Sequence, residues 1–388
     1  MNFELNKEQQ QIKKAAKDFV KGEFKQEIIH DFVKNKAYPS KILKKAGELG
    51  FLGIHFPEEY GGEGLSPFEQ MLIAEELTIG HSTVGACLAL SGYGTDILLN
   101  HGSEQQQKTW LPKIAKANVI SSCAFTELSL VDNFEDYHTT AVKDGDSWVI
   151  NGGKRFVVNG EQDGEPYGGK TGFYIVLCKT DFGTTTPEKG LSTILVEADR
   201  QGVSSANVGN MLGTRLLPLT NVDFNTVRVP LKNLIGNEHG GHSQVVEFSN
   251  HSRLLIASMA VGMAQGAFDR ALSHVKQRKQ FGQKLIDFQV TRHKLSEMIT
   301  LIETARLITC RAALVCEQGV GNAKYCSMAK LVATQTAIRV ADHALQLLGG
   351  YGYMDEYDVE GYYRDAKMLE ILEGNNHLQK DIIADTIA

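Results

Sequence analysis

Leu255, Met259, Met263, Ala267, Ala271 and Val275 recur every fourth residue, and Ile256, Ala260, Ala264, Phe268 and Leu272 run beside them as a second stripe. On a helix, two adjacent stripes make one wide apolar face, and small side chains on it let a neighbouring backbone come close. Such a segment demands partner helices. Similar patterns run from Leu295 to Cys316, ending before Gly319, and from Ala329 to Leu348, ending at Gly349-Gly350, where glycine closes a helix readily. Residues 237–388 therefore read as a four-helix bundle.

The chain has 388 residues, 42% of them hydrophobic, which is more than one core can use. Residues 1–120 carry helix punctuation. Ser66-Pro67-Phe68-Glu69 combines an N-cap, a first-turn proline and a capping-box glutamate, and Ser103-Glu104-Gln105-Gln106 repeats the device. Gly50 closes a helix expected to carry Ile42, Leu43, Ala46 and Leu49 on one face. From 121 to 236 the texture is β. Trp148-Val149-Ile150 and Phe156-Val157-Val158 flank Asn151-Gly152-Gly153, a spacing that predicts a hairpin turn at the Asn-Gly pair. Further strands are expected at Phe173–Cys178, Ser192–Val196 and Val222–Val229, and an inserted loop at Glu161–Gly172. The fold class is α+β: an all-α N-terminal domain, a central β-barrel-like domain and a C-terminal four-helix bundle.

A net charge of -6 argues against a nucleic-acid partner or an anionic membrane surface, so a phosphate-bearing ligand must be held locally. The six cysteines are scattered in apolar stretches without metal-ligand spacing, as in a reduced, cytoplasmic protein. The first residues, Met1-Asn2-Phe3-Glu4-Leu5, lack the pattern of a signal or transit peptide. The apolar run from Leu254 to Phe268 is broken and too short to span a bilayer. His239-Gly240-Gly241-His242 reads as a polar loop, and no metal site is expected.

Two clusters suggest chemistry. Arg278-Lys279-Gln280-Phe281-Gly282, followed by Phe288-Gln289, offers a forked cation, a ring face and a close backbone approach, suited to a diphosphate-bearing flat ligand. It reads equally as a helix C-terminus. Glu373-Gly374 follows the apolar turn Met368, Leu369, Ile371 and Leu372, so its carboxyl could enter a dry pocket and gain the pKa of a general base. By spacing alone, a helix-terminal glutamate before a glycine cap is the simpler reading.

The ordered motifs resemble the acyl-CoA dehydrogenase family along essentially the whole chain. They include Glu59-Tyr60-Gly61-Gly62, Cys123-Ala124-Phe125-Thr126-Glu127, Ile150 to Lys154, Arg278 to Gly282, Gln346 to Tyr353, Arg364 to Lys367 and Leu372-Glu373-Gly374. The resemblance implies FAD as cofactor, an acyl-CoA thioester as substrate and electron-transfer flavoprotein as acceptor. It makes Glu373 the base that removes the α-proton as a hydride leaves the β carbon. It assigns Phe125, Thr126, Phe156, Val158, Asn375 and His377 to cofactor contact, and Asp132, Arg253 and Gly374 to substrate contact. Arg278, Phe281 and Gln289, with Gln346, Gly349 and Gly350, would hold the FAD of a neighbouring subunit, which implies an obligate oligomer such as a homotetramer. Some members carry the base just before the arginine of the first bundle helix; here that residue is Ser252. The chain departs from the pattern after Glu127, where glycines are missing through Asp132, and at Val158, which lacks the usual hydroxyl. Two alternatives stay open: a non-catalytic partner subunit in a hetero-oligomer, and an atypical acyl-CoA flavoenzyme that decarboxylates or reduces.

Overall fold

The computed structural model describes residues 4–128, 137–161, 170–184, 186–317 and 323–387. The N-terminal part is helical: α1 (Lys7–Glu23), α2 (Gln26–Asn35), α3 (Ser40–Glu48), α4 (Pro67–Gly80), α5 (Ser82–Ala89), α6 (Thr95–His101) and α7 (Glu104–Ala115). Both expected capping boxes form, at Ser66 with Glu69 before α4 and at Ser103 with Gln106 before α7. In α3, Ile42, Leu43 and Ala46 are buried, but Leu49 is 57% exposed. The helix ends at Glu48 and Leu49 is its C-cap, where its N–H still bonds the Lys45 carbonyl but its side chain lies at the exposed end of the face.

The middle part is a curled sheet of β1 (Ile120–Ala124), β2 (Thr140–Asp144), β3 (Ser147–Val158), β4 (Thr171–Lys179), β5 (Leu191–Glu197), β6 (Val203–Asn207) and β7 (Leu219–Pro230). One run orders β2-β3-β7-β6; β4 pairs with β1 and β5 along its length and touches β2 only at Thr140–Lys179. The sheet folds over a core containing Trp148, Tyr174, Val176, Ile194, Val222 and Phe224, yet among the described residues its ladder stays open. The expected hairpin at Asn151-Gly152 does not exist. β3 runs straight through it, and the turn is at Gly145-Asp146, where Asp144 pairs with Ser147. The glycines serve a bulge instead: the β3–β7 register shifts between Ile150 and Gly152, and a Cβ on Gly152 would lie 2.5 Å from the Thr139 Cα. Most of the expected loop at 161–172 lies outside the described residues.

The C-terminal part holds α8 (Gly241–Gln277), a two-residue-strand hairpin β8–β9 (Lys279–Gln280, Gln283–Lys284), α9 (Gln289–Glu317), α10 (Ala323–Leu348), α11 (Val359–Ile371) and α12 (Asn376–Asp385). Helix α8 packs on α4, α9, α10 and α11, and so joins the first domain to the last. Most of its two predicted stripes is buried, with Met259, Ala260, Ala264, Ala267 and Ala271 almost fully enclosed and Leu255 and Leu272 half-buried, but Leu254, Ala257 and Val261 outside the stripes are buried as well because α8 has partners on several sides. Asp365 of α11 ties the three parts together: its carboxylate accepts from the Ser82 hydroxyl (2.6 Å), the Thr83 hydroxyl and the Thr214 backbone N–H. No described helix is long and apolar enough to cross a membrane.

The α8–α4 contact depends on Gly262, where an added Cβ would lie 2.1 Å from the Thr78 Oγ1 and 2.3 Å from the Glu75 carbonyl oxygen. Gly262→Ala gains about 1 kcal/mol of helix propensity but overpacks a backbone contact at about 1–3 kcal/mol or more. Net destabilisation is expected in urea unfolding, and a stabilised variant would contradict this packing.

Candidate active site

Helix α11 stops at Ile371, Leu372 is extended, and Glu373 and Gly374 both take left-handed backbone (φ 59° and 80°) before Asn375 caps α12. The left-handed region costs a non-glycine residue roughly 1–2 kcal/mol, so Glu373 is held there by its surroundings. The turn throws its side chain into a cavity of about 660 Å³ between the sheet, α8 and α12. Leu372, Leu378, Ile382, Val245 and Val246 share that wall. Among the described residues the Glu373 carboxylate has no hydrogen-bond or ion-pair partner, and burial pushes its pKa up to about 8.

Six further expected residues line the same cavity: Phe125, Thr126, Phe156, Val158, Arg253 and Gly374. Phe125 and Thr126 leave the end of β1, and the segment is nailed down by a buried pair. The Lys154 Nζ donates to the Glu127 Oε1 (2.7 Å) and to the Phe125 carbonyl (3.1 Å), while Glu127 also accepts from the backbone N–H of His138 and Thr139. Burial would raise the Glu127 pKa, but Lys154 and these donors more than offset it and the net shift is down. Phe156 sits at φ 52° on a register shift of β3 and is 60% exposed at the cavity rim. Arg253 is buried; its Nη1 donates to the Asn250 Oδ1 (3.0 Å) and its Nε has no partner. Two positions earlier on α8, His251 meets Asp96 of α6 (2.8 Å), which also bonds His55 (3.0 Å), fastening the first half of α8 to the N-terminal domain.

The remaining expected residues lie elsewhere. Arg278, Phe281, Gln289, Gln346, Gly349 and Gly350 are exposed, with Phe281 at 92%. The structure does bring part of this set together: the Arg278 guanidinium lies 5.3 Å from the Tyr351 ring, beside the Gly349-Gly350 turn, and Phe281 meets Phe288 edge-on. Some 25 positions of α8, about 37 Å of helix, separate Arg253 from Arg278. Asn375 does not reach the cavity because its side-chain oxygen caps α12, accepting from the N–H of His377 (2.9 Å) and Leu378 (3.0 Å). His377 is exposed and likewise outside it. Asp132 lies outside the described residues. Ser252 is buried with an unpartnered hydroxyl and supplies no second carboxylate.

Sequence reasoning missed Tyr93, His242, Ser249, Asn250, Ile382 and Asp385, all on the cavity wall. Val245, Val246, Ser249, Asn250 and Arg253 follow helical spacing, so extending the α8 period toward its start would have found that face. Nothing local distinguishes Ile382 or Asp385. The cysteine spacing also concealed a contact, since the Cys316 and Cys326 sulfurs are 3.4 Å apart.

The chain matches the acyl-CoA dehydrogenase N-terminal domain over residues 6–118, the middle domain over 122–227 and the C-terminal domain over 239–388. It belongs to the acyl-CoA dehydrogenase family. It is 34% identical to a short-chain specific acyl-CoA dehydrogenase of Clostridium acetobutylicum, covering 100% of both chains. Its fold superposes on an acyl-CoA dehydrogenase of Geobacillus kaustophilus with a TM-score of 0.91 at 32% identity, covering 100% of both. It also superposes on a chain solved under the description of the electron transferring flavoprotein of Acidaminococcus fermentans, with a TM-score of 0.93 at 31% identity, covering 100% of this chain and 99% of that one. As a member it is an FAD-dependent oxidoreductase acting on the CH–CH bond of an acyl-CoA. The cavity fits the flat end of FAD: the exposed Phe156 ring at its rim and apolar Val158 and Phe125 on its wall supply faces for a planar ring.

Lys154→Met would strand a buried carboxylate, with a cost of about 3–5 kcal/mol. Chemical denaturation should show it, together with looser flavin binding; unchanged stability would remove the anchoring role of the pair.

Proposed function

We propose that Glu373 is the general base that takes the α-proton of an acyl-CoA thioester. The observation that carries this reading is its unpartnered carboxylate on an apolar cavity wall, with a pKa raised by burial to about 8. A base needs affinity for a proton without a competing cation, and this position supplies both. FAD, when bound, supplies the acceptor for the β-hydride. Phe125, Thr126, Phe156 and Val158 would flank its ring, and Arg253 and Gly374 would face the thioester-bearing ligand. The distance along α8 supports a shared site in which Arg278, Phe281, Gln289, Gln346, Gly349 and Gly350 of a second copy hold the far end of the cofactor, as in a homotetramer. The likeness to the chain described with the electron transferring flavoprotein supports such a flavoprotein as the electron acceptor. Six free cysteines support a cytoplasmic setting.

The test is anaerobic reduction of the bound flavin by a panel of acyl-CoAs. Glu373→Gln should slow it by about 10²–10⁴-fold while the thioester still binds; full-rate reduction would end the assignment. The base must be ionised, so the rate in the parent should rise with pH through about 8, and a profile flat from pH 6 to 9 would contradict it. Arg278→Ala should lower FAD retention and shift the assembly toward smaller species in native mass spectrometry.

A further inference from the structure

The turn that carries Glu373 leans on a residue that no motif identifies. Lys330, on α10, is fully buried. Its Nζ donates to the Glu370 carbonyl (2.9 Å), the Gly374 carbonyl (2.9 Å) and the Asn376 Oδ1 (3.0 Å). An ammonium group has three N–H donors, and all three are used on one short stretch: the last turn of α11, the left-handed turn and the first residue of α12. Gln379, also fully buried, adds two bonds from its Nε2, to the carbonyls of Glu373 (3.1 Å) and Gly374 (2.9 Å). Asn376 is held in turn by Thr334 of α10.

We propose that Lys330 is a positioning residue for the reaction, a staple that holds Glu373 in its strained backbone and aims its carboxylate into the cavity, with Gln379 as its helper. This rests on the reading of Glu373 as the base. Geometry favours the role over simple core filling. A buried amine placed only for bulk would not spend every donor on the carbonyls and cap of a single turn; an apolar side chain there would take the Lys330 donor from the Glu370 carbonyl and leave the Gly374 carbonyl and the Asn376 Oδ1 to Gln379 and Thr334 alone. The role does not require a permanent charge. Burial, opposed by the Glu370 carboxylate and reinforced by Arg253, brings the Lys330 pKa to about 7; the neutral amine keeps two N–H donors and so still holds two of the three acceptors, while the ammonium holds all three.

Lys330→Met keeps the length and removes the donors. In this variant, amide hydrogen exchange over residues 372–376 should accelerate at least about tenfold in the flavin-free and the loaded chain. Reduction of bound flavin by acyl-CoA should slow by about 10–100-fold, with the dissociation constant for the thioester held within about threefold. Glu373→Gln should slow reduction and leave that amide exchange unchanged. Faster exchange with an unaltered rate would make Lys330 merely structural and overturn the proposal, as would an unaltered exchange rate. If Glu373→Gln reduces flavin at full rate, the base reading falls by itself, since the exchange measurement does not depend on it. Should Lys330→Met fail to fold, Gln379→Leu decides by the same two readouts, with a loss of about fivefold or more expected and no loss counting against the staple.

Discussion

Everything in this molecule is arranged around the close approach of α8 to its neighbours. At Gly262 the backbone of α8 lies against Thr78 and Glu75 of α4, and at Gly266 against Ile79 and the ring of Tyr362. Side chains larger than hydrogen would push these helices apart. The helix is thus locked between the N-terminal domain and the bundle, and its first three turns are left to form one wall of the cavity. Glu373, between α11 and α12, and Phe125, Thr126, Phe156 and Val158 of the β1 and β3 edge line this cavity together with α8.

The cavity wall includes groups under local stress. Glu373 and Phe156 take left-handed backbone, and Arg253 is buried with an unpartnered nitrogen. The restraints are polar and buried: Lys330 and Gln379 hold the turn of Glu373, and Lys154 with Glu127 holds the segment of Phe125. Strain persists only where surrounding structure over-determines it. At Glu373 the division is plain: its carboxylate facing the cavity has no partner among the described residues, while the Lys330 ammonium behind its turn uses all three donors.

Periodicity read the helices well because burial of a face is a local constraint on every turn, and α8, α9 and α10 fall where their stripes place them. It failed where a residue pair answers to a distant strand. Asn151-Gly152 has hairpin chemistry, but Thr139 and the β7 bulge need that glycine for proximity, and the strand continues. Leu49 satisfies the stripe of α3 yet is exposed, because it caps the helix end and the period does not say how far the buried face extends.

The family, the three-part architecture and the candidacy of Glu373 were legible in the sequence, since ordered motifs and hydrophobic periods are linear signals. That Glu373 meets Arg253, Phe125 and Phe156 on one wall while Arg278 stands about 37 Å of helix away was decided only by the tertiary structure. So was the staple from Lys330, which lies 43 positions before Glu373 in the sequence and looks there like any lysine of a long helix. Desolvation and hydrogen-bond saturation belong to the folded surroundings of a side chain, and no stretch of sequence contains its own surroundings.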